Sequence, residues 1–224
     1  MKRQIKYEKH NLSHSYSLAF HSFGQSRKMN VELKNQLDSI SVLDQKYRIL
    51  LFDYPEHSQK DSIAKAFGIS PSELWGYIQS NMLKTDSSNL LFIEEVFNKY
   101  GYPGKSLVGA KTNEVAWNVI QHSDKIPQYI SLIRKAGKEK ELPFTLVAKM
   151  EDRYLMNQKK EQIYGTQACG GCLSNGVNSP VIWPIKDPKF VNKRRRKAGF
   201  EQTIEEYAKQ MGIEYKVVTL SEMK

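Results

Sequence analysis

Residues 29–54 read MNVELKNQLDSISVLDQKYRILLFDY, and this stretch decides the fold class. Val31, Leu33, Leu37, Ile40, Leu43, Tyr47, Leu50 and Leu51 recur at steps of three and four, the period of one buried helical face. Asn30 stands where an N-cap side chain accepts a free backbone N–H, and Pro55 lies just past the end. Asp44 and Arg48 are spaced i, i+4 on this helix and can pair, with Gln45 beside them.

The same period returns on the C-terminal side. Residues 58–81 read as two short helices: Gly68 ends the first, and Ser70-Pro71-Ser72-Glu73 opens the second as a capping box with proline at N1. Residues 81–89 are expected as a linker, with a new helix from Asp86 or Ser87 to Tyr100. Gly101-Tyr102-Pro103-Gly104 is a turn-rich loop. Further helices are expected over residues 113–122, 127–138, 143–158, 190–197 and 203–211, the last with Gly212 as its cap. Residues 163–190 are rich in Gly, Pro and Asn and form a long loop or irregular covering layer. Tyr215 to Leu220 alternates and predicts one short C-terminal strand.

The expected fold is therefore mainly α, a compact irregular helical domain over residues 29–224 with a Gly/Pro-rich covering loop. Residues 58–81 are a local helical insertion. Residues 1–28 lack periodicity and read as a loose N-terminal arm.

Of the 224 residues, 40% are hydrophobic, enough for one core. No apolar run approaches the roughly 20 residues that span a bilayer, and the basic N-terminus lacks the apolar stretch of a signal peptide. A cytoplasmic protein without a membrane partner is expected; an export signal missing from the chain would give the same picture. The net charge of +10 favours an anionic partner. Two cysteines cannot form a disulfide framework.

Polar groups beside core residues are costly to bury unless paired. Gln121-His122-Ser123-Asp124 follows Trp117, Val119 and Ile120; Asp152-Arg153 follows Leu146, Val147 and Met150; Tyr164-Gly165-Thr166-Gln167 forms a third group. Three such segments suggest one meeting point. His122 has an ordinary pKa of about 6.5 and suits acid–base work, although a histidine also fits a helix C-terminus for electrostatic reasons alone. Asp124 or Asp152 could orient it, and Arg153 could clamp a carboxylate or phosphate, but spacing alone favours two structural ion pairs for this dipeptide.

Cys169-Gly170-Gly171-Cys172 matches half a zinc site or a redox pair. No second cysteine pair completes it, so no cofactor is expected and zinc at Cys169 and Cys172 is a minor reading. Residues 63–75 imitate a helix-turn-helix, but residues 71–79 contain no Lys or Arg to meet DNA, which argues against a nucleic-acid partner. Lys193 to Lys197 reads as a solvated basic face.

The order Asp44-Gln45-x-x-Arg48, Asp86-x-x-Asn89, Tyr100-Gly101-Tyr102-Pro103-Gly104, Gln121-His122-x-Asp124, Asp152-Arg153 and Gln162-x-Tyr164-Gly165-Thr166-Gln167 resembles a bacterial family of unknown function. Pro184 to Gly199 is also similar to it. The resemblance spans about residues 30–210. That family usually carries tryptophan where Tyr102 stands, and residues 58–81 and the cysteine pair look like local additions. The resemblance implies where a site lies and names no activity.

The expected site therefore has His122 and Asp152 as catalytic groups. Gln121, Arg153, Tyr164, Thr166, Gln167, Asp44, Gln45 and Arg48 would bind a small polar, anionic ligand, and the glycines around Tyr102 would let that loop act as a lid. A hydrolase or transferase fits this reading. The alternatives are a protein-interaction or immunity-like module, in which the same groups form an internal network, and DNA binding through residues 60–80.

Overall fold

The computed structural model describes residues 28–52 and 57–224. The loose arm expected over residues 1–28 lies outside them, apart from Lys28.

The helices are α1 (Val31–Phe52), α2 (His57–Phe67), α3 (Leu74–Tyr100), α4 (Lys105–Val108), α5 (Val115–Gln121), α6 (Ile126–Lys138), α7 (Phe144–Asn157), α8 (Val191–Ala198) and α9 (Ile204–Gln210). The fold is mainly α, as the sequence predicts. Asn30 caps α1 by accepting the Leu33 N–H at 3.0 Å. Gly68, with φ of 67°, closes the α2 segment in a conformation that side chains resist. At the start of α9, Thr203 and Glu206 form a reciprocal capping box.

Residues 81–89 are not a linker: α3 runs unbroken through them for 27 residues. Their Ser and Asn residues suggested a break because such side chains compete for backbone groups. Here that tendency is absorbed within the helix. Asn81 Nδ2, Ser87 Oγ and Ser88 Oγ each donate to the carbonyl four residues back, at 2.8, 2.9 and 3.1 Å. Packing of α3 on α1 supplies the rest.

The main core joins α1, α3, α5, α6 and α7 through Leu37, Ile93, Ile120, Ile133 and Met150. Trp117 donates its indole N–H to the Leu146 carbonyl at 2.8 Å, tying α5 to α7. Residues 158–224 form a layer beside this core. Its own smaller cluster contains Ile182, Ile185, Val191, Ile204, Ala208 and Ile213.

Two short strands, β1 (Ala168–Cys169) and β2 (Val181–Ile182), pair antiparallel inside the layer. The strand expected at residues 215–220 does not form. Its alternation has another cause: Tyr215 packs on the cluster around Ile182, whereas Val218 packs on Leu173 and Val181. Among the described residues no helix is long and apolar enough to cross a membrane.

Candidate functional site

Successive residues on a helix point roughly 100° apart. Asp152 and Arg153 on α7 accordingly face two different surroundings.

Asp152 is fully buried and faces the turn that follows α7. One carboxylate oxygen accepts the N–H groups of Ile163 at 2.7 Å and Tyr164 at 3.0 Å. The other accepts the Thr166 N–H at 2.9 Å and the Thr166 hydroxyl at 3.0 Å. Burial raises its pKa above the ordinary carboxylate value, while the amides of Tyr164, Ile163 and Thr166 pull the other way.

The carbonyls of the same turn are also taken. Arg194 Nε donates to Ile163 O at 2.8 Å, Arg195 Nη1 to Tyr164 O at 2.9 Å, and the Tyr207 hydroxyl to Thr166 O at 3.2 Å. The Gln162 side chain exchanges hydrogen bonds with the backbone of Gln167, each at 2.9 Å. Gly165 has φ of 71°, and a Cβ there would lie 2.6 Å from Ile204 and 2.9 Å from Ile185. Glycine is needed for both conformation and space. The groups of residues 162–167 thus fasten the covering layer to α7.

The expected pairing of Asp152 with His122 is absent from this arrangement, because the carboxylate is spent on the turn. The basic run is not simply a solvated face either. Arg195 is 1% exposed and lies between the Phe200 and Tyr207 rings, with its guanidinium carbon 4.7 and 5.0 Å from their centroids. The signal for this was present: Val191, Arg195 and Ala198, spaced i, i+4, i+7, are the buried stripe of α8.

Arg153 faces the other way. Its Nη1 donates to the Gln121 carbonyl at 2.9 Å and its Nε to Gln167 Oε1 at 3.2 Å. No carboxylate pairs with it among the described residues. Burial lowers its pKa from the ordinary arginine value.

His122 closes α5 with its side chain exposed. Protein around the remainder of the ring lowers its pKa, and Arg48 and then Arg153 add to this; Asp44 and Asp86 oppose it. Four charged groups from α1, α3 and α7 therefore lie within electrostatic reach of one imidazole.

Arg48 organises the α1–α3 side. It donates to Asp86 Oδ1 at 2.5 Å and to Met82 Sδ at 3.5 Å, and its Nε stands 3.5 Å from Asp44 Oδ2. Gln45 Nε2 donates to Asp44 Oδ2 at 2.7 Å. Among the described residues, three buried atoms in α1 and α3 have no hydrogen-bond partner: Asp44 Oδ1, Arg48 Nε and Asn89 Nδ2. Asp86 and Asn89 joined the expected linker and were not among the expected site residues.

The structure thus joins Asp44 to Gln45 and Arg48, and Arg153 to Gln121, with His122 within electrostatic reach of Asp44, Arg48 and Arg153. Asp152, Tyr164, Thr166 and Gln167 lie across α7 from these groups, and Gln167 touches both sides through Arg153. The loop around Tyr102 is no lid for them. The Tyr102 hydroxyl donates to Asn113 O at 2.8 Å, and the loop lines a separate cavity with Leu132, Lys135, Glu139 and Glu141.

Cys169 and Cys172 are paired as a disulfide, with Cα atoms 5.9 Å apart. Among the described residues no group of three or more His, Cys, Asp or Glu is placed to hold a metal ion.

Residues 57–218 match a family of unknown function, DUF6624. That span includes residues 58–81 and the cysteine pair, and it begins after Asp44, Gln45 and Arg48. No curated protein matches the chain, and no solved structure does.

Proposed function

The chain belongs to this family of unknown function, and we propose that it binds a small polar, anionic ligand where α1, α3, α5 and α7 meet, with His122 as general acid or base. One observation carries the reading. An exposed imidazole lies within electrostatic reach of two guanidinium groups from different helices, Arg48 and Arg153, which together with partial burial favour its neutral form. A neutral imidazole at pH 7 can take a proton from water or from a substrate hydroxyl. Arg153, which lacks a carboxylate partner among the described residues, would hold the anion. Gln121 and Gln45 border the same surface and would orient the ligand. A hydrolase or transferase is the reaction class this suits.

Titrating the protein with inorganic phosphate, acetate and phosphoserine while following the His122 ring resonance tests the binding step. A saturable shift with at least one anion, lost in Arg153→Gln, is expected. A resonance that none of them moves argues against the reading. If a phosphoester or carboxylic ester is turned over, His122→Ala should lower kcat by roughly a hundredfold or more.

A second reading has its own support. Asp152, Gln162, Thr166, Gln167, Arg194 and Arg195 are hydrogen-bonded to protein throughout, as in a network that fixes packing. A non-enzymatic interaction module, immunity-like or otherwise, needs no more than this. Unchanged function in His122→Ala, measured as binding to an identified protein partner, would favour it.

A further inference from the structure

We infer that a cleft between the start of α7 and α8 binds a nucleotide unit, that is, a flat ring joined to a phosphate. The cleft measures about 470 Å³ and is lined by Phe144, Tyr164, Arg194, Lys197 and Ala198. That volume lies within the range of small-molecule sites. It shares no residue with the surface around His122, so the two readings stand or fall separately.

The walls suit a ring. Phe144 and Tyr164 meet at an interplanar angle of 83° with centroids 6.5 Å apart, and Phe200 backs Tyr164 at 6.4 Å. Phe144 is 44% exposed, which leaves a face of its ring open to the cleft. A planar heterocycle entering this corner would stack on one ring and meet the edge of the other.

The rim suits a phosphate. Lys197 is exposed and has no ion-pair partner among the described residues. Arg194 adds a fixed positive charge, since the carbonyls of Ile163, Lys186 and Asp187 hold its guanidinium in place. Lys193 and Arg196 are exposed on the same short helix. Among the described residues no acid lines the cleft. Nearby, Glu151 is bonded twice to Arg134 at 2.7 Å, and Asp152 lies under the backbone of Tyr164. This excess of positive charge favours a phosphate dianion over a single carboxylate. The Tyr164 hydroxyl has no hydrogen-bond partner among the described residues, and burial raises its pKa, so it remains a proton donor for the ligand. These cations and rings are what residues 71–79, in the segment resembling a helix-turn-helix, do not provide.

The test titrates the full chain with uridine 5′-monophosphate, uridine, inorganic phosphate, benzoate and an oligouridylate octamer. Calorimetry gives affinities, and amide resonances locate the binding. Saturable binding of the monophosphate near residues 144, 164 and 197 is expected, with uridine, phosphate and benzoate each much weaker. Phe144→Ala should weaken it roughly five- to a hundredfold. Lys197→Glu should weaken it about tenfold or more, whereas Lys65→Glu, on the exposed face of α2, should leave it unchanged. Tyr164→Phe, which keeps the ring and its packing, should cost a few-fold and guards against misfolding of the other variants. An octamer binding far more tightly than the monophosphate assigns the unit to a single strand; similar affinities assign it to the free nucleotide. The inference is overturned if the monophosphate does not bind, if phosphate alone binds as well, or if Phe144→Ala has no effect.

Discussion

Asp152 and Thr166 are joined twice: the carboxylate accepts both the backbone N–H of Thr166 and its hydroxyl, at 2.9 and 3.0 Å. With the amides of Ile163 and Tyr164 on the same carboxylate, one buried side chain serves three backbone donors. Asp152→Ala strands those donors and should destabilise the fold by roughly 3 kcal/mol or more. Thr166→Val removes one hydroxyl and should cost about 1 kcal/mol. Urea unfolding of both variants checks the order, and a near-wild-type Asp152→Ala would contradict the fastening role.

Gly165→Ala is expected to be as harmful as many core deletions. The new methyl group would meet Ile204 and Ile185 in a backbone conformation with φ of 71°. Strain and overpacking together should cost on the order of 2–4 kcal/mol. Trimming Ile204 to Val in the same chain should recover part of the loss, which separates crowding from backbone strain.

His122 should titrate below the ordinary histidine value. Burial is the first cause, Arg48 and Arg153 add to it, and Asp44 and Asp86 oppose it. A depressed folded pKa means that protonation favours the unfolded chain. The stability from the neutral ring is complete above the unfolded pKa of about 6.5 and is lost as pH falls through the folded value. In Arg48→Met, Asp44 and Asp86 lose their counter-charge, and the His122 pKa should rise. Proton NMR of the ring across pH 4 to 8 gives both values.

Reduction of the Cys169–Cys172 pair should be mild. The bridge closes a very short loop, so its chain-entropy contribution is small, about 2 kcal/mol by the loop-length relation. The double Cys→Ser variant should melt a few degrees lower with unchanged helix content. Zinc added to the reduced protein should not restore the lost degrees; restoration would revive a metal role for the two thiols.

Apolar periodicity made α1, α6 and α7 legible, because each buries one face against the same core. It failed where polar side chains serve the helix itself. Asn81, Ser87 and Ser88 look like turn formers, yet each bonds the carbonyl one turn back within α3. It failed again at Arg195, whose charge suggested solvent although its place between Val191 and Ala198 is inward. The hydrogen bond from Arg153 to the Gln121 carbonyl joins two of the polar segments that stand next to apolar runs. The work of Asp152 was not legible, since its partners are main-chain amides and a sequence does not show where those point.

The turn that Asp152 holds has one more consequence, for the timescale of motion. Residues 163–166 belong to no helix or strand, yet Ile163, Tyr164 and Thr166 donate their amides to a buried carboxylate. Their closing partners are remote in the chain: Thr166 O meets Tyr207 across 41 residues. Such amides open only when α7, α8 and α9 come apart together. In deuterated solvent this irregular segment should exchange as slowly as the helices of the core, and far more slowly than the neighbouring loop at residues 174–180.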